Sequence, residues 1–208
     1  PESLTSFQNG TQNVLDAMQL FHNLFGDYPF IKEKYGHIQF GWGGGMEHQT
    51  ATFIVSVNEG LIAHELAHQW FGDKITCGSW EDIWLNEGFA THIASIYNEK
   101  KYPASIITNR RSLVNNITSQ PGGSVWVDDT ASVGRIFDGR LSYNKGSYLI
   151  YMLRWKLGDS TFFRAVRNYQ KDPKVMYGFA RTADLKKHLE QESKQDLTEF
   201  FKDWFTGQ

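Results

Sequence analysis

His64-Glu65-Leu66-Ala67-His68 puts two imidazoles four residues apart in a stretch that otherwise reads as a buried helix. Residues 59–71 carry Ala63, Leu66, Ala67, Trp70 and Phe71, with Asn58 at the N-cap position and Gly72 as a stop. Side chains four apart on a helix lie one turn apart on one face, so both rings can reach a single ion at about 2.0–2.1 Å. Glu65 sits about 100° around the helix, near enough to touch a water on that ion without taking a coordination position. The plainer reading is two surface histidines on an amphipathic helix. It conflicts with the apolar flanks, because buried imidazoles beside a buried carboxylate are costly without partners. A metal supplies one.

The rest of the composition sets few other limits. The 208 residues suffice for one domain with a core, or for a catalytic unit cut from a longer chain. A net charge of −2 gives no global field to recruit nucleic acid or an anionic membrane. No apolar run reaches 18 residues, so no transmembrane segment is expected. The single cysteine, Cys77, excludes an internal disulfide and reads as a small buried apolar residue. The chain opens Pro1-Glu2-Ser3 without an initiating Met or a signal-peptide core, which suggests a processed or excised piece and leaves the compartment unknown.

Apolar spacing predicts helices over 11–25, 59–71, from Asp82 to about 100, 104–117, 140–157, 160–170, 182–192 and 196–205. Asp82, Asp159, Thr182 and Asp196 stand at expected cap positions. Residues 35–40 and 50–57 read as strands, separated by the run Gly41-Trp42-Gly43-Gly44-Gly45, which must turn or bare its backbone. Residues 119–135 are polar and glycine-containing and read as a long loop, of the kind that is often functional. Strands first and helices after argue α+β.

A catalytic zinc takes three protein ligands and keeps one position open for water. Glu87 follows His68 after 18 intervening residues, early in the second predicted helix. Taken alone, a glutamate near a helix N-terminus is better read as a favourable dipole interaction. The surroundings change that balance. HELAH, the eighteen-residue gap and Glu87 within Trp84-Leu85-Asn86-Glu87-Gly88-Phe89-Ala90 resemble the aminopeptidase-N family of zinc peptidases, which also contains the leukotriene hydrolases. Gly44-Gly45-Met46-Glu47-His48 resembles that family's G-x-M-E-N exopeptidase motif, with His48 where the family has Asn. Tyr143-Asn144-Lys145-Gly146 resembles its catalytic-tyrosine segment, and Asp196 to Gly207 looks like the end of its catalytic domain.

The resemblance implies a thermolysin-like catalytic domain spanning 1–208, a small mixed sheet followed by a mostly helical half, as a fragment of a larger multidomain protein. It implies one zinc ion per chain on His64, His68 and Glu87, with Glu65 as the catalytic proton carrier and Tyr143 holding the oxyanion. Gly44, Gly45, Met46 and Glu47 would bind substrate, Glu47 pairing with the free α-amine of a peptide. Family members carry a β-rich domain before this region and usually helical domains after it, and neither is present. Zinc-dependent removal of N-terminal residues is therefore the expected function. Endopeptidase action without strict N-terminal preference, and a catalytically weak zinc-stabilised interaction domain, are the alternatives. Ligating histidines usually donate their other N–H to an acceptor; Asp73 and Asp82 are the candidates. Without a motif partner, His22, His37, His92 and His188 read as surface or satisfied core residues, and the Asn116-Ile117-Thr118 sequon carries little weight.

Overall fold

A computed structural model describes residues 4–207. Helices α1 (Leu4–Thr11) and α2 (Asn13–Phe25) lead into a three-stranded mixed sheet of β1 (Gly36–Gln39), β2 (Gly45–Met46) and β3 (Ala51–Ile54). Its order is β1-β3-β2, with β1 parallel and β2 antiparallel to β3. Next come α3 (Glu59–His68), β4 (Ile75–Cys77), α4 (Glu87–Lys101), α5 (Ile106–Ile117) and the short α6 (Val133–Ile136). Then α7 (Gly146–Leu157), α8 (Asp159–Tyr169), β5 (Gly178–Ala180), α9 (Thr182–Ser193) and α10 (Thr198–Phe201) complete an α+β architecture, strands early and helices late. Among the described residues no helix is long and apolar enough to cross a membrane.

The buried face of α3 makes the fold's centre. It packs against α2 on one side and α4 on the other, and α4 in turn packs against α7. Phe71 and Phe89 stack face to face with centroids 4.3 Å apart, and Trp70 meets Phe21 and Tyr28 edge-on. Aromatic packing of this kind contributes both area and geometric specificity. Cys77 is buried, and burial pushes its thiol up to about 12, so it behaves as an apolar core residue.

Several expectations need correction. Asp82 does not cap α4. A short 3-10 turn, Trp80–Leu85, precedes that helix, and Ser79 caps the turn by accepting from the Glu81 amide. Asp82 instead accepts from the Thr182 hydroxyl at 2.6 Å and pairs with Arg181, fastening the start of α9 from 100 residues away. Thr182 lies inside α9, and the cap belongs to Arg181, whose amide donates to Asp184 at 2.8 Å. Asp159 is the first residue of α8 and turns back to Arg154 at 2.8 Å. Asp196 does accept from the Thr198 amide, at 2.8 Å. The helix expected over 11–25 is α2, the second strand is shorter than 50–57, and α1, β2, β4 and β5 were not foreseen.

The 119–135 segment is irregular up to α6, as expected, but it is firmly anchored. Val125 and Val127 are buried, and the Trp126 amide donates to the Phe205 carbonyl at 2.9 Å. Arg135 binds Asp128 at 2.7 Å and the Ser124 and Trp126 carbonyls at 2.9 and 2.7 Å. Backbone groups that would otherwise lack partners inside the protein are thus satisfied.

Candidate metal centre and its cleft

The α3 helix begins as the sequence requires, with the Asn58 side chain accepting from the Leu61 amide at 3.1 Å. It ends at His68, where the chain passes through an irregular turn, Gln69–Asp73, containing Gly72 at φ 143°. That turn carries the Phe71 carbonyl back to His68 Nδ1, 3.0 Å away. A carbonyl only accepts, so Nδ1 holds the proton and Nε2 presents its lone pair. The acceptor for His68 is therefore this backbone carbonyl; Asp73 and Asp82 do not fill the role.

Glu87 opens α4, which packs along α3, and its carboxylate meets both rings. His64 Nε2 and His68 Nε2 are 3.1 Å apart, and Glu87 Oε2 lies 3.3 Å from each. A tetrahedral ion with ligands at about 2.0–2.2 Å separates its ligand atoms by about 3.3–3.6 Å, so the triangle has the size of a zinc site. Glu87 Oε2 is buried and, among the described residues, receives no hydrogen bond of proper geometry. Two imidazoles and one carboxylate, closed around an unsatisfied oxygen, form a donor set suited to zinc. Burial alone would raise the Glu87 carboxyl, but the facing imidazole of His68, helped by His64, outweighs it and holds the group well below the usual carboxylate range.

Glu65 is buried one position past His64, and burial pushes its carboxyl up to about 8 against the opposing pull of His68. Ligand atoms of Glu47, Glu65 and His68 fall within 4.8 Å of one another. Gly45 is adjacent, and a β-carbon there would collide with the Glu65 carboxyl group. A side chain at position 45 would therefore have to displace the Glu65 carboxyl group. Tyr143 comes from the turn preceding α7; its ring lies parallel to that of His64, centroids 6.0 Å apart. Burial, with Glu87 adding, raises its phenol, so the hydroxyl remains a proton donor across the working range.

All nine expected site residues line one open cleft of about 1530 Å³. His48 lines it too, its ring edge-on to Phe53 at 5.0 Å. The unmatched histidines lie elsewhere: His22 beside Asp27, His188 on Asp172, and His92 buried against Arg154. Sequence reasoning missed Gln69, whose side chain binds the Glu47 carbonyl and the Thr50 amide. Its only signal was a glutamine inside an apolar flank directly after a histidine of the motif. It also missed what Lys145 and Gly146 do. The Lys145 ammonium donates to the Gly123 and Gly207 carbonyls at 2.5 and 3.2 Å.

Residues 46–204 match the Peptidase family M1 domain. The chain is 32% identical over 216 residues to aminopeptidase 2 of Candida albicans, covering 90% of this chain and 23% of that protein. It is 36% identical over 152 residues to the alanine/arginine aminopeptidase of Saccharomyces cerevisiae, covering 69% of this chain and 17% of that protein. The chain thus spans roughly a fifth of the length of the curated relatives it matches. An M1 zinc metallopeptidase from Deinococcus radiodurans superposes with a TM-score of 0.80 at 26% identity, covering 92% of this chain and 43% of that one. Yeast LTA4 hydrolase in complex with bestatin shares the fold, with a TM-score of 0.80 at 24% identity over 99% of this chain and 36% of that one.

Proposed function

Because the chain belongs to peptidase family M1, we propose that it is the catalytic domain of a larger zinc aminopeptidase, which removes N-terminal residues from peptides. The observation that carries this reading is the triangle of His64, His68 and Glu87 donor atoms beside the Glu65 carboxyl group. One zinc ion would be held by these three side chains. When zinc is bound, water there becomes acidic near neutral pH and a substrate carbonyl is polarised.

The remaining work falls to the protein's own groups. Glu65, with its raised affinity for a proton, takes one from the attacking water and delivers it to the leaving amine. Tyr143 donates its hydroxyl proton in a hydrogen bond to the oxyanion as charge develops. Glu47, at the end of β2 and facing the cleft, pairs with the substrate's free α-amine, and Gly44, Gly45 and Met46 flank the peptide backbone. The curated relatives are named as aminopeptidases, which supports the exopeptidase reading over endopeptidase action or a zinc-stabilised interaction domain. The D. radiodurans enzyme has been captured with a Tyr-Ser-Ala substrate, which supports peptides as the substrate class.

The test compares an aminoacyl anilide with its N-acetylated form in the zinc-loaded protein. Strong preference for the free amine is expected. Equal rates on both would overturn the assignment of Glu47, and no turnover of either would overturn the enzymatic reading.

A further inference from the structure

Gln69 is fully buried and follows His68 directly. Its amide group uses all four of its hydrogen-bonding positions. Oε1 accepts from the Tyr28 hydroxyl and from the Thr50 amide, each at 3.0 Å. Nε2 donates to the Glu47 carbonyl at 3.2 Å and to Asp73 Oδ2 at 2.7 Å. Two of these bonds cross from the end of α3 to the segment joining β2 and β3, one on each side of His48.

The Gly36 amide holds that segment to β1 by donating to the Thr50 carbonyl at 3.0 Å, but its tie to α3 must come from elsewhere. The pairing of β2 with β3 ends at Met46, so Glu47 is the first residue beyond the ladder. The bond from the Ala51 amide to the His48 carbonyl shapes the turn but does not tie it to α3. Thr50 adopts φ 63°, a left-handed backbone that is costly for a β-branched residue and persists only where surroundings enforce it. The Gln69 carbonyl receives the amide of that same residue.

We propose that Gln69 is a positioning residue that locks the 47–50 segment to the helix bearing His64 and His68, and so sets where the Glu47 carboxylate stands relative to them. The inference rests on the reading that Glu47 receives the substrate's amine. Replacing Gln69 with Glu keeps the size and the acceptor for Thr50, but a carboxyl group offers at most one donor where the amide offers two. With Asp73 alongside to claim that donor, the Glu47 carbonyl loses its partner.

The experiment uses the zinc-loaded full-length protein and its Gln69→Glu, Gln69→Leu and Glu47→Gln variants. Each is measured on the aminoacyl anilide and the N-acetylated form, with zinc content and hydrogen exchange over residues 45–50 followed in parallel. Gln69→Glu is expected to keep its zinc and to raise KM for the free-amine substrate about tenfold, as for one lost hydrogen bond, with kcat little changed. The preference for the free amine narrows by the same factor, and exchange over 45–50 quickens in both Gln69 variants. Should Gln69→Leu fail to fold, Gln69→Glu alone decides. Equal losses on both substrates through kcat would make Gln69 merely structural and overturn the proposal. If Glu47→Gln erases the preference while Gln69→Glu retains wild-type KM and exchange, only the positioning role fails. If Glu47→Gln leaves the preference intact, the amine reading itself falls and takes the positioning role with it.

Discussion

Gly88 on α4 and Gly146 on α7 meet backbone to backbone, directly after Glu87 and shortly after Tyr143 in the chain. A β-carbon at Gly88 would lie 3.0 Å from the Gly146 carbonyl carbon. The two helices can cross this closely only without side chains, and the crossing holds the Glu87 carboxylate near the Tyr143 hydroxyl. Gly88→Ala should therefore push α4 from α7 and cost about 1–3 kcal/mol, the usual range for overpacking. A thermal melt should show the loss, and peptide turnover should fall further than the folded fraction explains.

Removing the proposed proton carrier should separate chemistry from metal binding. Glu65→Gln is expected to lower kcat by about 10²–10⁴-fold while zinc content, measured by atomic absorption, stays at the wild-type level. Zinc lost together with activity would move Glu65 from proton transfer to holding the site together.

In the proposed mechanism Tyr143 contributes a neutral donor, so its loss should be visible in kcat alone. Tyr143→Phe is predicted to slow turnover by about 10²–10³-fold, as for other single oxyanion donors, with KM and zinc content near wild type. Single-turnover kinetics on the aminoacyl anilide would check the split.

Metal and fold are linked through the buried ligand triangle. Glu87→Gln weakens zinc by replacing a carboxylate with a neutral amide, so added zinc should raise Tm far less than in wild type. In wild type, zinc at 100 times its Kd stabilises the fold by about 2.7 kcal/mol, and chelation should reverse that shift.

Acid should destabilise the protein through His92. This imidazole is buried on α4 with Arg154 Nη1 3.1 Å from its Nε2, and burial, with Arg154 and Arg110 adding, holds its pKa well below the ordinary value. The folded state therefore binds the proton less readily than the unfolded chain. Stability is fully present above the unfolded pKa of about 6.5 and falls below it by up to about 1.4 kcal/mol per pH unit. Urea denaturation at pH 7.5 and 5.0 should show this slope, and His92→Gln should flatten it.

The metal helix was legible because its chemistry and its fold speak through the same short window: a cap, an apolar face and two imidazoles at helical spacing. Glu87 lay within reach only through its surroundings, since a glutamate near a helix start has an ordinary explanation of its own. What escaped notice shares one physical trait, dependence on partners distant in sequence. Strands β4 and β5 have three residues each and pair across about a hundred intervening ones, leaving no local periodicity to read. Asp82 looked like a cap because Asp is a good one, yet its partner Thr182 is 100 residues away. Gln69 carries little local signature beyond a polar residue in an apolar flank, because its bonds join a helix end to a turn 19 residues earlier.

Lys145 shows how far the catalytic turn extends beyond the cleft. One ammonium group gathers carbonyls from the 119–135 segment and from the stretch after α10, while Tyr143, two residues before it, lines the cleft against His64. A random-mutagenesis screen scored on hydrolysis should consequently return hits around positions 123 and 207, remote in primary structure and never in contact with a peptide, that mimic damage to the tyrosine itself.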